Sequence, residues 1–139
     1  MIASNFTIKN SIYLVHDGSE YDLHNDYDFQ SYIYEAKSQS ITLKWIRGTG
    51  EWVKNGQPKA IELEIMKASS FSVSPRRNDA PLVDDACLEQ IAYENDEEWC
   101  DGPFWVDQSP ETTWRWIFMF ESDYWLTVNA ESISVKVKP

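Results

Sequence analysis

The chain has 139 residues, with 23 acidic and 12 basic side chains, a formal net charge of -11 and a pI of about 4.5. A chain this acidic lacks the basic surface that nucleic acids and anionic membranes require, so both are excluded as expected partners. Aromatic residues make up 14% of the chain, which excludes a wholly disordered protein. The length fits a single domain over residues 1–139.

The N-terminus has neither a basic n-region nor a long apolar h-region, and no apolar run approaches the ~20 residues of a membrane span. The cytoplasm is therefore the expected compartment, and Cys87 and Cys100 are expected to be reduced thiols there, with a Cys87–Cys100 disulfide as the alternative if the protein is exported. No cofactor or catalytic motif is found, so we expect no cofactor and no enzymatic activity. The oligomeric state stays open.

The first predicted strands cover residues 11–16, 27–35 and 41–47. The third alternates cleanly between apolar and polar residues, which is typical of a half-buried antiparallel strand. In the second, the period of two places Tyr32 and Tyr34 on the more polar face, opposite the core.

A strand is predicted over residues 60–66, after a tight turn at Asn55 and Gly56, and it continues or resumes over residues 68–74. A bulge or bend is expected between the two parts, at Ser69 and Ser70. The next apolar residues favour a short helix near residues 85–93, with a strand over 88–94 as the alternative.

The C-terminal part predicts a three-stranded meander, with strands over residues 113–120, 124–130 and 133–137 and a turn near Glu131. Taken together, the elements predict a mainly β protein. Its fold class is an antiparallel β-sandwich or a strongly curved sheet of seven to nine strands, with one short helix.

Charge is distributed unevenly along the chain. Residues 78–114 contain eleven acids and no Lys or Arg, and residues 10–36 contain six acids and no base. We call these segments the large and the small acidic block. If the fold brings the two blocks to one face, that face suits a basic partner.

The large acidic block also carries tryptophans in a segment that reads as loop. Exposed Trp beside carboxylates can hold Lys and Arg side chains through cation–π contacts and ion pairs. We therefore predict that a basic protein partner is captured there. The predicted partner-binding residues are Asp96, Glu97, Glu98, Trp99, Asp101, Trp105 and Asp107.

This profile, a small acidic chain without a cofactor motif or signal peptide, is similar to that of bacterial immunity proteins, which neutralise nuclease toxins. The similarity is one of class rather than of motif. It implies an inhibitor of a basic toxin, and it assigns no site residue to this chain.

Two alternatives stay open. The first is a carbohydrate-binding β-sandwich module that uses aromatic platforms. The second is a metal-dependent enzyme centred on His16 and His24, with Asp26 as a further ligand, although the spacing matches no known metal motif. For Cys87 and Cys100, no His lies nearby in sequence, and acidic surroundings are expected to raise a thiol pKa.

Overall fold

The computed structural model describes residues 1–95, 106 and 108–139. Within these residues the chain forms ten β-strands and one 3-10 turn, Leu82–Ala86. The strands are β1 (Ile2–Ala3), β2 (Thr7–Lys9), β3 (Tyr13–His16), β4 (Ser19–Asp22), β5 (Tyr27–Glu35), β6 (Ser40–Arg47), β7 (Ala60–Ser74), β8 (Leu88–Glu94), β9 (Arg115–Phe120) and β10 (Trp125–Lys138). In this part of the chain, no helix has the length and apolar character needed to cross a membrane.

Seven strands form one sheet, which is strongly curled as a half-barrel. Its order is β5–β6–β7–β10–β9–β8, all antiparallel, and β1 adds to β10 in parallel. The strands β2, β3 and β4 form a second, smaller antiparallel sheet. The predicted class, a mainly β protein built on a strongly curved antiparallel sheet, is confirmed.

The core fills the concave side of the curled sheet. Trp45 on β6 lies between Phe29 and Phe118, with ring centroids 5.0 and 6.2 Å away, respectively. The smaller sheet packs against another part of this core. There, Phe6, the residue before β2, meets Trp116 edge to face, with ring centroids 5.9 Å apart. Buried aromatic area on this scale dominates the stability of a domain of this size.

The bulge predicted at Ser69 and Ser70 is confirmed. Along the β7–β10 pair, Asn129 is opposite Ser70 but Ala130 is opposite Ala68, so Ser69 is the extra residue. An extra residue lets a strand bend and changes which face the following side chains occupy.

The predicted helix near residues 85–93 is wrong for most of its length. The helical turn ends at Ala86, and Leu88–Glu94 is strand β8, paired with β9. Leu88 and Ile91 are both buried although they are three residues apart, because Glu89 is an extra residue in the register with β9. A bulged strand thus imitates the three-residue spacing of a helix.

The predicted turn near Glu131 is also wrong, since β10 is continuous from Trp125 to Lys138. The buried positions change from even to odd numbers between Ala130 and Ile133, and this change suggested a turn. It coincides with an irregularity opposite Lys67, which has a positive φ of 54°. Lys67 forms an ion pair of 3.4 Å with Glu131.

A third bulge reverses the predicted face of two tyrosines. Phe29 is opposite Trp45 but Ser31 is opposite Lys44, so Gln30 is the extra residue in β5. Tyr32 and Tyr34 are therefore paired with the inward-facing Leu43 and Ile41. They line the concave side, where the sequence predicted that they would face away from the core.

Candidate functional site

The two acidic blocks meet at one end of the curled sheet. The backbone N–H of Ile91 in the large block donates to the carbonyl of Ser11 in the small block, at 2.8 Å. The His24 ring contacts the Leu88 carbonyl. These contacts hold the β2–β3 connection, through Ser11, and the β4–β5 connection, through His24, against β8, so residues far apart in sequence share one region.

His24 lies in this region beside Cys87 and Glu121. The distance from His24 Nδ1 to Cys87 Sγ is 3.6 Å, and one ligand atom from each of the three residues lies within 4.8 Å of the others. All three side chains are half-buried. Cys87 carries a free thiol.

Local hydrogen bonds hold these three residues in place. A carboxylate oxygen of Asp22 accepts from the backbone N–H groups of His24 and Asn25, at 3.0 and 2.8 Å, which is an Asx-type turn. The backbone N–H of Glu121 donates to the carbonyl of Cys87 at 2.9 Å. The side chains are therefore presented by a backbone that is already ordered.

Four carboxylates surround the thiol, and we call them the acidic cluster: Asp28, Asp84, Glu89 and Glu121. Burial raises the pKa of Cys87, and the negative charges of Glu121, Asp84, Asp28 and Glu89 raise this pKa further, in that order. Asp28 belongs to the small acidic block, whereas Asp84 and Glu89 belong to the large one. The fold therefore brings part of each block to one place.

Within the described residues, the acidic cluster forms no ion pair with Lys or Arg. Burial raises the pKa of Glu89, and the charges of Glu121 and Asp123 raise it as well, while His24 lowers it. The raised pKa of Glu89 therefore reflects, besides burial, a field of negative charge from its neighbours. Such a field attracts cations and basic groups.

The acids next to the cluster are paired instead. Arg76 binds Asp85 at 3.0 Å and also donates to the Ala80 carbonyl at 2.7 Å. Arg77 reaches both Asp79 and Asp123, at 2.7 and 3.1 Å. Both arginines therefore hold the segment around the 3-10 turn and leave the acidic cluster uncompensated.

An aromatic groove adjoins the acidic cluster across the 3-10 turn. It has a volume of about 440 Å³ and is lined by Phe29, Gln30, Ser31, Tyr32, Leu82, Asp85, Ala86 and Tyr124. A row of rings continues from it, because Phe71 lies 5.6 Å from Tyr32 and 6.0 Å from Tyr34. On the turn, Leu82 is 77% exposed and Val83 is 74% exposed.

His16 and Asp26, the other predicted metal ligands, lie apart from His24 and its neighbours. His16 Nδ1 contacts the Asn5 carbonyl at 2.7 Å, and its Nε2 lies 3.3 Å from Asp17. Asp26 accepts from Gln57 Nε2 at 3.1 Å and lines a separate cavity of about 710 Å³ between the small sheet and the turn at Gly56. Among the predicted metal ligands, only His24 belongs to the group with Cys87 and Glu121.

The residues predicted to bind the partner lie outside the described part of the chain. They are Asp96, Glu97, Glu98, Trp99, Asp101, Trp105 and Asp107. Cys100 also lies outside it. Their role stays a prediction.

Sequence reasoning missed the closeness of Cys87 and His24. The two are 63 positions apart in sequence, and no spacing rule connects them. The only signal in the sequence was that Cys87 lies in one acidic block and His24 in the other.

The chain was also compared with known proteins. No protein-family model, no curated protein and no solved structure matches it.

Proposed function

We propose that this protein binds a basic protein partner, and that the acidic cluster and the adjoining 3-10 turn form part of the contact surface. One observation carries the proposal: the two acidic blocks meet around Cys87, and among the described residues their carboxylates there form no ion pair with Lys or Arg. Uncompensated surface charge of one sign steers an oppositely charged partner and speeds association.

The 3-10 turn supports this function because it adds apolar anchors to the charge. Leu82 and Val83 are exposed directly before Asp84. Arg76 fixes the turn by its bonds to Asp85 and to the Ala80 carbonyl. Apolar side chains held in one conformation lose little entropy on binding, so they give affinity more readily than mobile ones.

The partner-binding residues predicted from the sequence lie outside the described part of the chain, and in this proposal they contribute to the same contact. Asp96, Glu97 and Glu98 follow β8 in sequence. In this proposal they add charge, and Trp99 and Trp105 add aromatic contacts. A small acidic inhibitor of a basic toxin is one specific form of the proposal, and a toxin encoded beside this chain in its genome would support that form.

A capture experiment tests the proposal. Wild-type protein is immobilised and incubated with lysate of its native organism, beside a variant that neutralises the acidic cluster (Asp28→Asn, Asp84→Asn, Glu89→Gln and Glu121→Gln). A matched control neutralises two acids of the sheet, Glu62→Gln and Glu64→Gln, which are paired with lysines. We expect a basic protein that wild type and control retain, that the cluster variant loses, and that elutes as salt rises.

The result that contradicts the proposal is equally clear. A partner that the cluster variant retains as well as wild type, at low and high salt, does not use this surface. If a partner is found, the substitutions Leu82→Ser and Val83→Ser separate the apolar contribution from the charge contribution. Loss of the apolar anchors should speed dissociation and leave the association rate almost unchanged.

A carbohydrate ligand is the second candidate, and the row of rings beside the aromatic groove favours it. Tyr34 is 47% exposed and stacks on Phe71 with an interplanar angle of 24°, and flat exposed rings of this kind can support a sugar face. Calorimetry with an oligosaccharide panel tests this candidate. Binding should be lost in Tyr34→Ala and kept in Trp52→Ala, and a panel without any binder counts against it.

A further inference from the structure

We propose that His24, Cys87 and Glu121 form a binding site for a divalent transition-metal ion of the zinc class. The three residues come from three parts of the fold: the β4–β5 connection, the residue between the 3-10 turn and β8, and the end of β9. One ligand atom of each lies within 4.8 Å of the others. This ligand differs from the proposed partner, but the two sites share Glu121 of the acidic cluster.

The separation of the nitrogen and the sulfur suits tetrahedral coordination. A zinc ion bound at about 2.3 Å to sulfur and about 2.0 Å to nitrogen, at the tetrahedral angle, holds these two atoms about 3.5 Å apart. His24 Nδ1 and Cys87 Sγ are 3.6 Å apart. The separation of the two atoms therefore already suits an ion, and the ring must first leave its contact with the Leu88 carbonyl.

The donor atoms indicate which ions fit. A thiolate, an imidazole and a carboxylate together suit zinc and its neighbours, whereas calcium and magnesium take oxygen ligands. Three protein ligands leave a fourth position for water. The remaining carboxylates of the acidic cluster, Asp28, Asp84 and Glu89, offset the positive charge of the ion.

Two features bear on how the site loads. The hydrogen bond from the Glu121 N–H to the Cys87 carbonyl, at 2.9 Å, fixes two of the three ligands relative to each other before an ion arrives. Against this, His24 Nδ1 contacts the Leu88 carbonyl. Coordination through Nδ1 requires the ring to leave this contact and to carry its proton on Nε2, and the proton that is released comes from the Cys87 thiol as it becomes a thiolate ligand.

Cobalt(II), a spectroscopic substitute for zinc, gives the sharpest test. The experiment uses the full chain with Cys100→Ser, so that Cys87 is the remaining thiol, and titrates it with cobalt(II) alone. We expect one equivalent to bind, with a thiolate-to-cobalt charge-transfer band that zinc(II) abolishes by displacement. Cys87→Ala should lose the band.

Matched histidine variants show which residues hold the ion. His24→Ala and Glu121→Ala should each weaken binding by more than the roughly 10–100-fold that loss of an outer partner costs. His16→Ala, which removes the only other His of the chain, should leave the affinity unchanged. Circular dichroism and urea unfolding without metal establish that each variant is folded, and Cys87→Ser replaces Cys87→Ala if the latter is not.

Three results would overturn the proposal. One is the absence of a charge-transfer band in the folded Cys100→Ser protein, including the case in which wild type shows a band, since Cys100 is then a ligand. Another is an affinity that His24→Ala and Glu121→Ala leave unchanged. The last is an equal loss of affinity in His16→Ala and His24→Ala, because it places the ion elsewhere.

Discussion

Two regions of the curled sheet contain the same types of acidic residue. The acids are paired with lysines in one region, whereas in the other, among the described residues, the acidic cluster is paired with neither Lys nor Arg. On the outer face of β7 and β10, acids stand beside bases: Glu64 lies 2.7 Å from Lys136, and Glu62 lies 3.7 Å from Lys138. The inward residues there are apolar and buried. We call this part, together with β6, the framework: its acids are paired with lysines and its inward apolar residues are buried.

The acidic end is the region where the β4–β5 connection, the 3-10 turn and the start of β8 meet. It differs from the framework in both its charges and its apolar surface. Its carboxylates lie beside other carboxylates and a thiol, and its turn exposes Leu82 and Val83. Folding alone does not require either feature, and both reduce stability or solubility. The difference marks the acidic end as the region on which the proposed function rests.

The largest expected difference between the two ends is in stability. Trp45→Ala in the framework removes a fully buried ring that contacts Phe29 and Phe118, and it should cost about 3–5 kcal/mol of the free energy of unfolding. Leu82→Ser at the acidic end should change it by less than about 0.5 kcal/mol. Urea unfolding measures both, and similar costs for the two variants would remove the distinction between the ends.

The next effect concerns high pH. Burial raises the pKa of Tyr27, at the start of β5, to about 12, and its hydroxyl donates to the Pro58 carbonyl at 2.9 Å. Because the unfolded state ionises first, stability is full below pH 10.0 and falls as the pH rises towards about 12, by roughly 2–3 kcal/mol.

Tyr27→Phe removes this component, so the variant should lose less stability than wild type between about pH 9 and about pH 11. Urea midpoints at the two pH values measure the difference. Burial, and then the neighbouring Tyr32, also raises the pKa of Tyr124, so some pH dependence persists in the variant. A variant as pH-dependent as wild type would contradict the assignment to Tyr27.

A smaller effect tests the electrostatics of the acidic end through Cys87. After burial, Glu121 contributes most to the raised pKa of this thiol. Glu121→Gln in a Cys100→Ser background should therefore lower the pKa of Cys87 and speed its alkylation by iodoacetamide several-fold at neutral pH. Glu64→Gln in the framework is the matched control and should leave the rate unchanged. Equal alkylation rates in the Cys100→Ser protein and in the two variants would show that Glu121 does not raise the pKa of Cys87.

The smallest effect has opposite signs at the two ends. Glu89→Gln removes a carboxylate that burial and like charges disfavour, and it should raise the free energy of unfolding by a few tenths of a kcal/mol. Glu64→Gln breaks the ion pair with Lys136 and should lower it by a similar amount. Urea midpoints at low salt measure both, and added salt should reduce the difference between them. A change in the free energy of unfolding of the same sign in both variants would contradict the difference in charge pairing between the acidic end and the framework.

The framework was predictable because its residues obey local rules. In residues 41–47 and 60–65 the alternation is unbroken, and Asn55 and Gly56 mark the turn between them, so the strands follow from periodicity alone. The errors arose at single extra residues. The extra residue Gln30 moved Tyr32 and Tyr34 to the opposite face of β5 from the predicted one, and the extra residue Glu89 gave a strand the apolar spacing of a helix. The change in buried positions after Ala130 was interpreted as a turn.

The candidate site was less predictable, because it depends on contacts between distant segments. The uneven charge and the presence of His24 near an acidic segment were visible in the sequence. The pairing of His24 with Cys87 was not, because the register of β8 and the path of the β4–β5 connection are tertiary properties. A sequence shows which groups are available, and only the fold shows which of them meet.

The length of β7 has a consequence for how the chain folds. β6 pairs only with the first part of β7, whereas β10 pairs with its whole length, from Lys138 opposite Ala60 to Trp125 opposite Ser74. Contacts between segments this far apart form slowly, since a long loop must close first. During synthesis the outer part of β7, with Phe71, is made long before β10 emerges from the ribosome. Until then it is an open template for pairing with other chains, so the rate at which β10 docks controls how much newly made protein aggregates.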